Sequence, residues 1–298
     1  MAGELASQPQ CWRRAADLLP EVAGLLPRTG ERVAVAGCGS SWFMATAYAL
    51  LRESSGHGVT DAFAASEPPA RGGYQRLVVL TRSGTTTEVL DLLASARGTV
   101  PTVAITADPQ APVAEVADAV IGLDFADEQS VVATRSSTSM LALLRASLGE
   151  DIAPVAEQAA AALVDTAADA RLRELAVSEQ LTFLGRGWTV ALAHEAALKL
   201  REAAGAWTES YPAMEYRHGP ISIAEPGRVV WHFGAPPEGL ADEVTGTGAT
   251  FLDSDALGSL DPMAHLVLAQ RLAVDMATTR GLDPDRPRHL ARSVVLGR

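Results

Sequence analysis

Lysine is almost absent from this chain. Lys199 stands alone, and every other basic side chain is arginine or histidine. A background that takes arginine wherever any cation serves makes a retained lysine a candidate for a site that a guanidinium does not fill. Cysteine is scarce as well. Cys11 and Cys38 provide neither a disulfide framework nor a metal-ligand spacing. No apolar run reaches the length of a membrane span, and the opening MAGELASQPQCWRR lacks the apolar core of a signal peptide. Positive charge is short overall: 24 Lys and Arg face 36 Asp and Glu, for a formal net charge of -12. A phosphodiester backbone demands basic patches, so nucleic acid is a poor partner. These absences predict a cytoplasmic protein with no membrane partner, no nucleic-acid partner and no metal. They leave room for a small phosphorylated ligand, which needs only a local anion site.

What is present is enough apolar material for real cores, 48% of 298 residues. The first half alternates continuous apolar runs with helical patterns. RVAVAGC (32–38), RLVVLT (76–81), VPTVAIT (100–106) and DAVIGLD (118–124) read as buried strands of a parallel sheet. Helical patterns cover 41–54, 85–96, 111–117 and 134–148. An alanine-rich helical stretch over 151–179 bridges to a second half, where the pattern restarts. LTFLGRGW (181–188) echoes VAVAGCGSSW (33–42), further strands are expected at 227–234 and 249–253, and a long helix at 261–280. The tail from 281 to 298 is expected to run as an ordered loop or short strand. The reading is an α/β protein of two similar doubly wound units with parallel sheets, residues 1–150 and 151–298.

AGCGSSW (36–42) and TRSGTTTE (81–88) both fall where a strand hands over to a helix. Open α/β sheets bind ligands at such carboxyl ends. Ser40, Ser41, Thr81, Ser83, Thr85, Thr86 and Thr87 supply hydroxyls. The glycines let backbone N–H groups approach an anion, and the helices add their positive ends. This set suits a phosphate monoester. It is neither a P-loop nor a dinucleotide fingerprint. The same hydroxyls also suit plain helix capping.

In HEAALKLRE (194–202), Glu195, Lys199 and Glu202 step by four and then three, forming one charged seam on an otherwise apolar helix. Buried charge is costly unless paired or used. A structural ion pair is one reading. The other is chemistry: a carboxylate can move a proton between neighbouring carbons of an open-chain sugar, an ammonium can stabilise the enediolate, and a histidine such as His218 of YRHGP can open the ring.

CGSSW, RSGTTTE, EAALKLRE, EYRHGP and DPDRPRHLARSV occur in an order and spacing that resembles the sugar isomerase (SIS) family. They are most similar to the isomerase domain of glucosamine-6-phosphate synthase and to related amino-sugar-phosphate deaminases and deglycases. The resemblance implies two tandem flavodoxin-like SIS domains, the first with phosphate-binding loops, the second with the catalytic helix and the tail. It implies no cofactor. It puts the sugar phosphate on Ser41, Thr81, Ser83 and Thr86, with Ser40 beside them. It makes Glu202 the enolisation base, Lys199 its companion and His218 the ring opener, contributed across a homodimer interface. Glu195 and Arg292 become candidates for substrate contact. Two departures stand out. Arg292 occupies the position of the synthase's imine-forming lysine, and a guanidinium cannot serve as that amine. Arg82 stands between the phosphate hydroxyls and offers a further charged contact. No glutamine-hydrolysing half is evident. The expected activity is a phosphosugar isomerase or deaminase acting on an amino-sugar or fructosamine 6-phosphate, without glutamine-dependent synthesis. A plain aldose–ketose isomerase, or a non-catalytic sugar-phosphate sensor, are the alternatives.

Overall fold

The computed structural model describes residues 1–70, 72–253 and 259–297. They form two compact units. One comprises residues 10–129, 133–153 and 291–298; the other comprises 1–9, 130–132 and 154–290. Both ends of the chain therefore depart from a simple division at residue 150.

The first unit is built on β1 (Val33–Gly37), β2 (Thr60–Ala64), β3 (Arg76–Thr81), β4 (Thr102–Thr106) and β5 (Ala119–Gly122), all parallel in the order β2-β1-β3-β4-β5. That order is flavodoxin-like, and its switch point lies between β1 and β3. Helices Ser40–Ser54, Thr87–Ala96, Val113–Val116 and Arg135–Ser147 follow β1, β3, β4 and β5. β1 is buried along its whole length and β3 along all but its first residue, because helices cover both faces of the sheet. Ala34, Ala36, Leu77, Val79, Leu93 and Ala104 form the core on one face.

The second unit repeats the plan with β6 (Gln180–Gly185), β7 (Trp207–Pro212), β8 (Arg228–His232) and β9 (Thr250–Leu252), again parallel, in the order β7-β6-β8-β9. Helix Thr189–Ala204 packs against Pro262–Thr279 and against β6 and β7. Its many alanines let three neighbours approach it closely, which is why it is buried nearly all round.

The two units share one structural detail. A Cβ on Gly37 would lie 2.7 Å from the Ser41 carbonyl carbon, and one on Gly185 would lie 2.4 Å from that of Thr189. In each, only glycine lets the helix start directly over the end of its strand.

The strands expected from continuous apolar runs are present, trimmed by a few residues at their ends. Two were not foreseen, β2 (TDAFA) and β7 (WTESYP). Both are edge strands, half-exposed and carrying Asp61 or Glu209, so neither shows the continuous apolar signature. The bridging stretch is two helices, Ile152–Val164 and Thr166–Leu175. Asp165 separates them and caps the second by accepting from the Ala167 and Ala168 N–H groups. The tail forms neither helix nor strand over 281–297, and Arg298 lies outside the described residues.

Candidate active site

In the first unit the two glycine-serine loops follow β1 and β3, neighbours across the switch point. Gly39, at φ 55, is the residue before helix Ser40–Ser54, so Ser40 and Ser41 occupy its first turn. Ser40, Ser41, Thr81 and Ser83 are all buried; Thr86 is half-buried. Thr86 is the N-cap of Thr87–Ala96 and makes no side-chain cap bond. The loop braces itself. Thr81 Oγ1 accepts from the Gly84 N–H at 3.2 Å, and Ser83 Oγ accepts from the Thr85 N–H at 3.3 Å and the Thr85 hydroxyl at 3.0 Å. Gly84 sits at φ +62, and a Cβ there would meet Ala111 Cβ at 2.6 Å, so both conformation and space require glycine.

Arg82 and Arg292 are engaged by the chain itself. Arg82 Nη2 donates to the Arg292 carbonyl at 2.7 Å. Arg292 pairs its own guanidinium with Asp127 and donates to the Glu128 carbonyl. Thr85 and Ser293 hydroxyls meet at 2.9 Å, and the Thr87 N–H donates to the Val294 carbonyl at 3.1 Å. The tail thus lies along the loop that follows β3.

Glu128 was not foreseen as a structural residue. It is fully buried, and its carboxylate accepts from the Thr134 N–H (2.7 Å), the Thr134 hydroxyl (2.5 Å), the Arg135 N–H (2.9 Å) and the Ser136 N–H (3.3 Å). A carboxylate at the first turn of helix Arg135–Ser147 meets its free N–H groups and its positive end. The signal available in the sequence was an acid six residues before a Thr-Arg-Ser helix start.

In the second unit, the charged seam exists as read. Glu195 and Lys199 are 0% exposed. Lys199 Nζ lies 2.5 Å from Glu202 Oε2 and 3.5 Å from Glu195 Oε1. Glu202 is the member that reaches solvent, with its side chain 21% exposed. It lines a cavity of about 330 Å³ with Arg201 and with Asp283, Arg286, Arg288 and His289 from the segment after the last helix. His289 holds φ 64, which costs a non-glycine residue roughly 1–2 kcal/mol. His218 is exposed, and the structure does not place it among the residues lining this cavity.

The second unit has a switch point of its own, between β6 and β8. Thr189 Oγ1 donates to the Phe233 carbonyl at 3.0 Å and accepts from the Arg186 N–H at 2.9 Å, tying the two loops together. Among the described residues no group of three or more His, Cys, Asp or Glu is arranged to hold a metal ion, and no helix is long and apolar enough to cross a membrane.

Two parallel flavodoxin-ordered sheets, hydroxyl loops at a switch point and a Glu–Lys–Glu seam accord with the sugar isomerase resemblance that the motifs carry. Comparison with known proteins bears that resemblance out, although no family model matches the chain. Over 341 residues it is 27% identical to a glutamine–fructose-6-phosphate aminotransferase (isomerizing) of Methanothermobacter thermautotrophicus, spanning 99% of this chain and 57% of that one. Over 260 residues it is 30% identical to the protein of the same name from Pyrobaculum aerophilum, spanning 74% and 43%. The chain spans about half the length of the curated relatives it matches. A crystal structure of glucosamine-6-phosphate deaminase from Thermotoga maritima matches with a TM-score of 0.83 and 25% identity, covering 99% of both chains. The C-terminal domain of the glucosamine-fructose-6-phosphate aminotransferase of Francisella tularensis shares the fold at a TM-score of 0.82 and 21% identity, covering 95% of this chain and 97% of that one.

Proposed function

We propose that the chain is a phosphosugar isomerase of the deaminating or deglycating kind, acting on an amino-sugar or fructosamine 6-phosphate. The observation that carries this reading is the buried seam of Glu195, Lys199 and Glu202, in which Glu202 alone opens on a cavity. A buried ion pair is weak support for stability, since well-packed apolar residues often do as well or better. Retaining three charges on one buried helix face is therefore better explained by chemistry than by folding.

In this reading the hydroxyls of Ser40, Ser41, Thr81, Ser83 and Thr86 bind the phosphate, and Glu202 shuttles the proton. From an open-chain ketosamine, Glu202 removes a C1 proton to give the enaminol. Returning the proton to C2 gives an imine at C1. Water adds to the imine carbon, the C–N bond breaks, and amine and aldose phosphate leave. With a 2-amino aldose the same shuttle runs from C2 to C1 and leaves an imine at C2, whose hydrolysis releases ammonia and the ketose. Neither route needs an amine from the protein, which accords with arginine at 292. Lys199, fully buried against Glu202, acts as a positioning residue. His218, exposed on its own unit, opens the ring from a second copy in a homodimer.

Incubation with a panel of amino-sugar and fructosamine 6-phosphates, with release of amine as the readout, tests this. Glu202→Gln is expected to lower kcat by about 10²–10⁴-fold, and Ser83→Ala to act mainly through KM. No turnover of any member by the unaltered protein would refute the reading.

A further inference from the structure

We infer that Arg217 is a positioning residue, one that fixes the aim of His218 for opening the sugar ring. This rests on the role proposed for His218 and deepens it. All the residues involved belong to the second unit.

Three consecutive side chains have three different surroundings. Tyr216 is fully buried and packs in a core cluster with Leu184, Val230, Leu240 and Val244. Arg217 is half-buried, and His218 is exposed. Arg217 is held by a fork. Its Nε donates to Glu243 Oε2 at 2.7 Å and its Nη2 to Glu243 Oε1 at 2.9 Å, and Nη2 also donates to the Glu238 carbonyl at 2.7 Å. Two N–H groups on the two oxygens of one carboxylate fix direction as well as distance. Glu243 sits on helix Leu240–Gly246, whose buried Leu240 and Val244 belong to the same core cluster as Tyr216. The residue before His218 is thus tied to the base that also anchors Tyr216.

The backbone on the far side of His218 is constrained too. The His218 N–H donates to the Glu215 carbonyl at 3.0 Å, and the Ser222 N–H to the Gly219 carbonyl at 2.9 Å. Gly219 holds φ 136, which favours glycine, and Pro220 has its own φ fixed by its ring. The His218 ring itself bonds to no other described residue. Stability is a poor reason for this arrangement. Glu243 is 46% exposed, and an ion pair open to solvent contributes only about 0–1 kcal/mol. Orientation is a better one, because an acid–base group displaced by about 1 Å can lose about 10²-fold in rate.

Ring opening is read directly as catalysed exchange between the anomers of a sugar phosphate, measured by exchange NMR above the spontaneous rate. Glu202→Gln serves as the background, since it stops the proton shuttle and lets ring opening be seen alone. The probes are glucosamine 6-phosphate and fructosamine 6-phosphate. Catalysed exchange of at least one is expected, and adding His218→Ala should lower it by about 10²-fold or more. Arg217→Ala and Glu243→Ala should each lower it about tenfold or more, with the denaturant midpoint nearly unchanged. Arg217→Lys, which keeps the charge but loses the fork, should recover part of the loss. Combining Arg217→Ala with His218→Ala should lower exchange no further than His218→Ala does. Exchange lost in His218→Ala but kept in Arg217→Ala, or losses that add in full, overturns the inference and leaves the proposed function standing. No catalysed exchange of either sugar, or exchange untouched by His218→Ala, overturns the ring-opening role of His218 and the inference with it.

Discussion

Arg82 and Arg292 lie 210 positions apart, yet the guanidinium of the first donates to the backbone carbonyl of the second at 2.7 Å. The contact makes Arg82 a strut for the tail. Arg292 in turn grips Asp127 and the Glu128 carbonyl rather than standing as a free cation. Arg82→Ala is expected to loosen residues 292–296 without unfolding the unit. Loss of about 1 kcal/mol should speed amide exchange at Thr87 and Leu296 about fivefold, because the Thr87 N–H is held by the Val294 carbonyl and the Leu296 N–H by the Thr87 hydroxyl. Unchanged exchange at both amides would show that the strut holds nothing.

The Lys199 ammonium faces two carboxylates, one of them fully buried. Lys199→Met should destabilise the protein by roughly 3–5 kcal/mol, the usual result of removing one partner of a buried pair. Adding Glu195→Gln to that variant should recover part of the loss, giving a favourable coupling in a urea-denaturation cycle. Strict additivity of the two substitutions would argue against the pair.

Trp231 Nε1 donates to His265 Nε2 at 3.0 Å, deep in the second unit beside Phe183 and Phe233. Burial, helped by nearby His232, pushes the His265 imidazole down to about 3, and burial lowers His232 as well. The folded state therefore keeps His265 neutral where the unfolded chain takes up a proton. Its contribution is fully present above the ordinary value of about 6.5 and is lost as pH falls towards about 3, by about 1.4 kcal/mol per pH unit in that window. His265→Gln should flatten the acid limb of a stability–pH curve measured by denaturant midpoint. An acid limb of the same steepness in that variant would assign the effect elsewhere.

Glu128 satisfies three backbone N–H groups and the hydroxyls of Thr134 and Ser136 at a buried helix start. Glu128→Ala leaves those donors without their acceptor and should cost roughly 3 kcal/mol or more. Glu128→Gln, which keeps one oxygen, should cost less. Thermal unfolding of the two variants checks the order; equal losses would mean that the single oxygen kept by glutamine contributes nothing.

Most of the architecture was legible because buried parallel strands and their covering helices write strong patterns: RLVVLT at 76–81 matches β3 residue for residue. β2 and β7 escaped because an edge strand needs only one covered side, so Asp61 and Glu209 interrupt the apolar run. The seam of Glu195, Lys199 and Glu202 was readable from helical spacing alone. The cationic wall opposite was not, since Arg286, Arg288 and His289 lie in an irregular segment about 85 residues further on, and no periodicity links them to Glu202. Nor does local sequence show that Arg82 reaches for a carbonyl near the other end of the chain.

The two units do not correspond to two stretches of gene. Residues 1–9 complete the unit built on β6 to β9, while residues 291–298 belong with β1 to β5. A polypeptide emerging from the ribosome must finish the whole second sheet before the first unit receives its closing segment. Cutting between the sheets, at whatever position, would therefore yield two fragments each missing a piece that only the other carries.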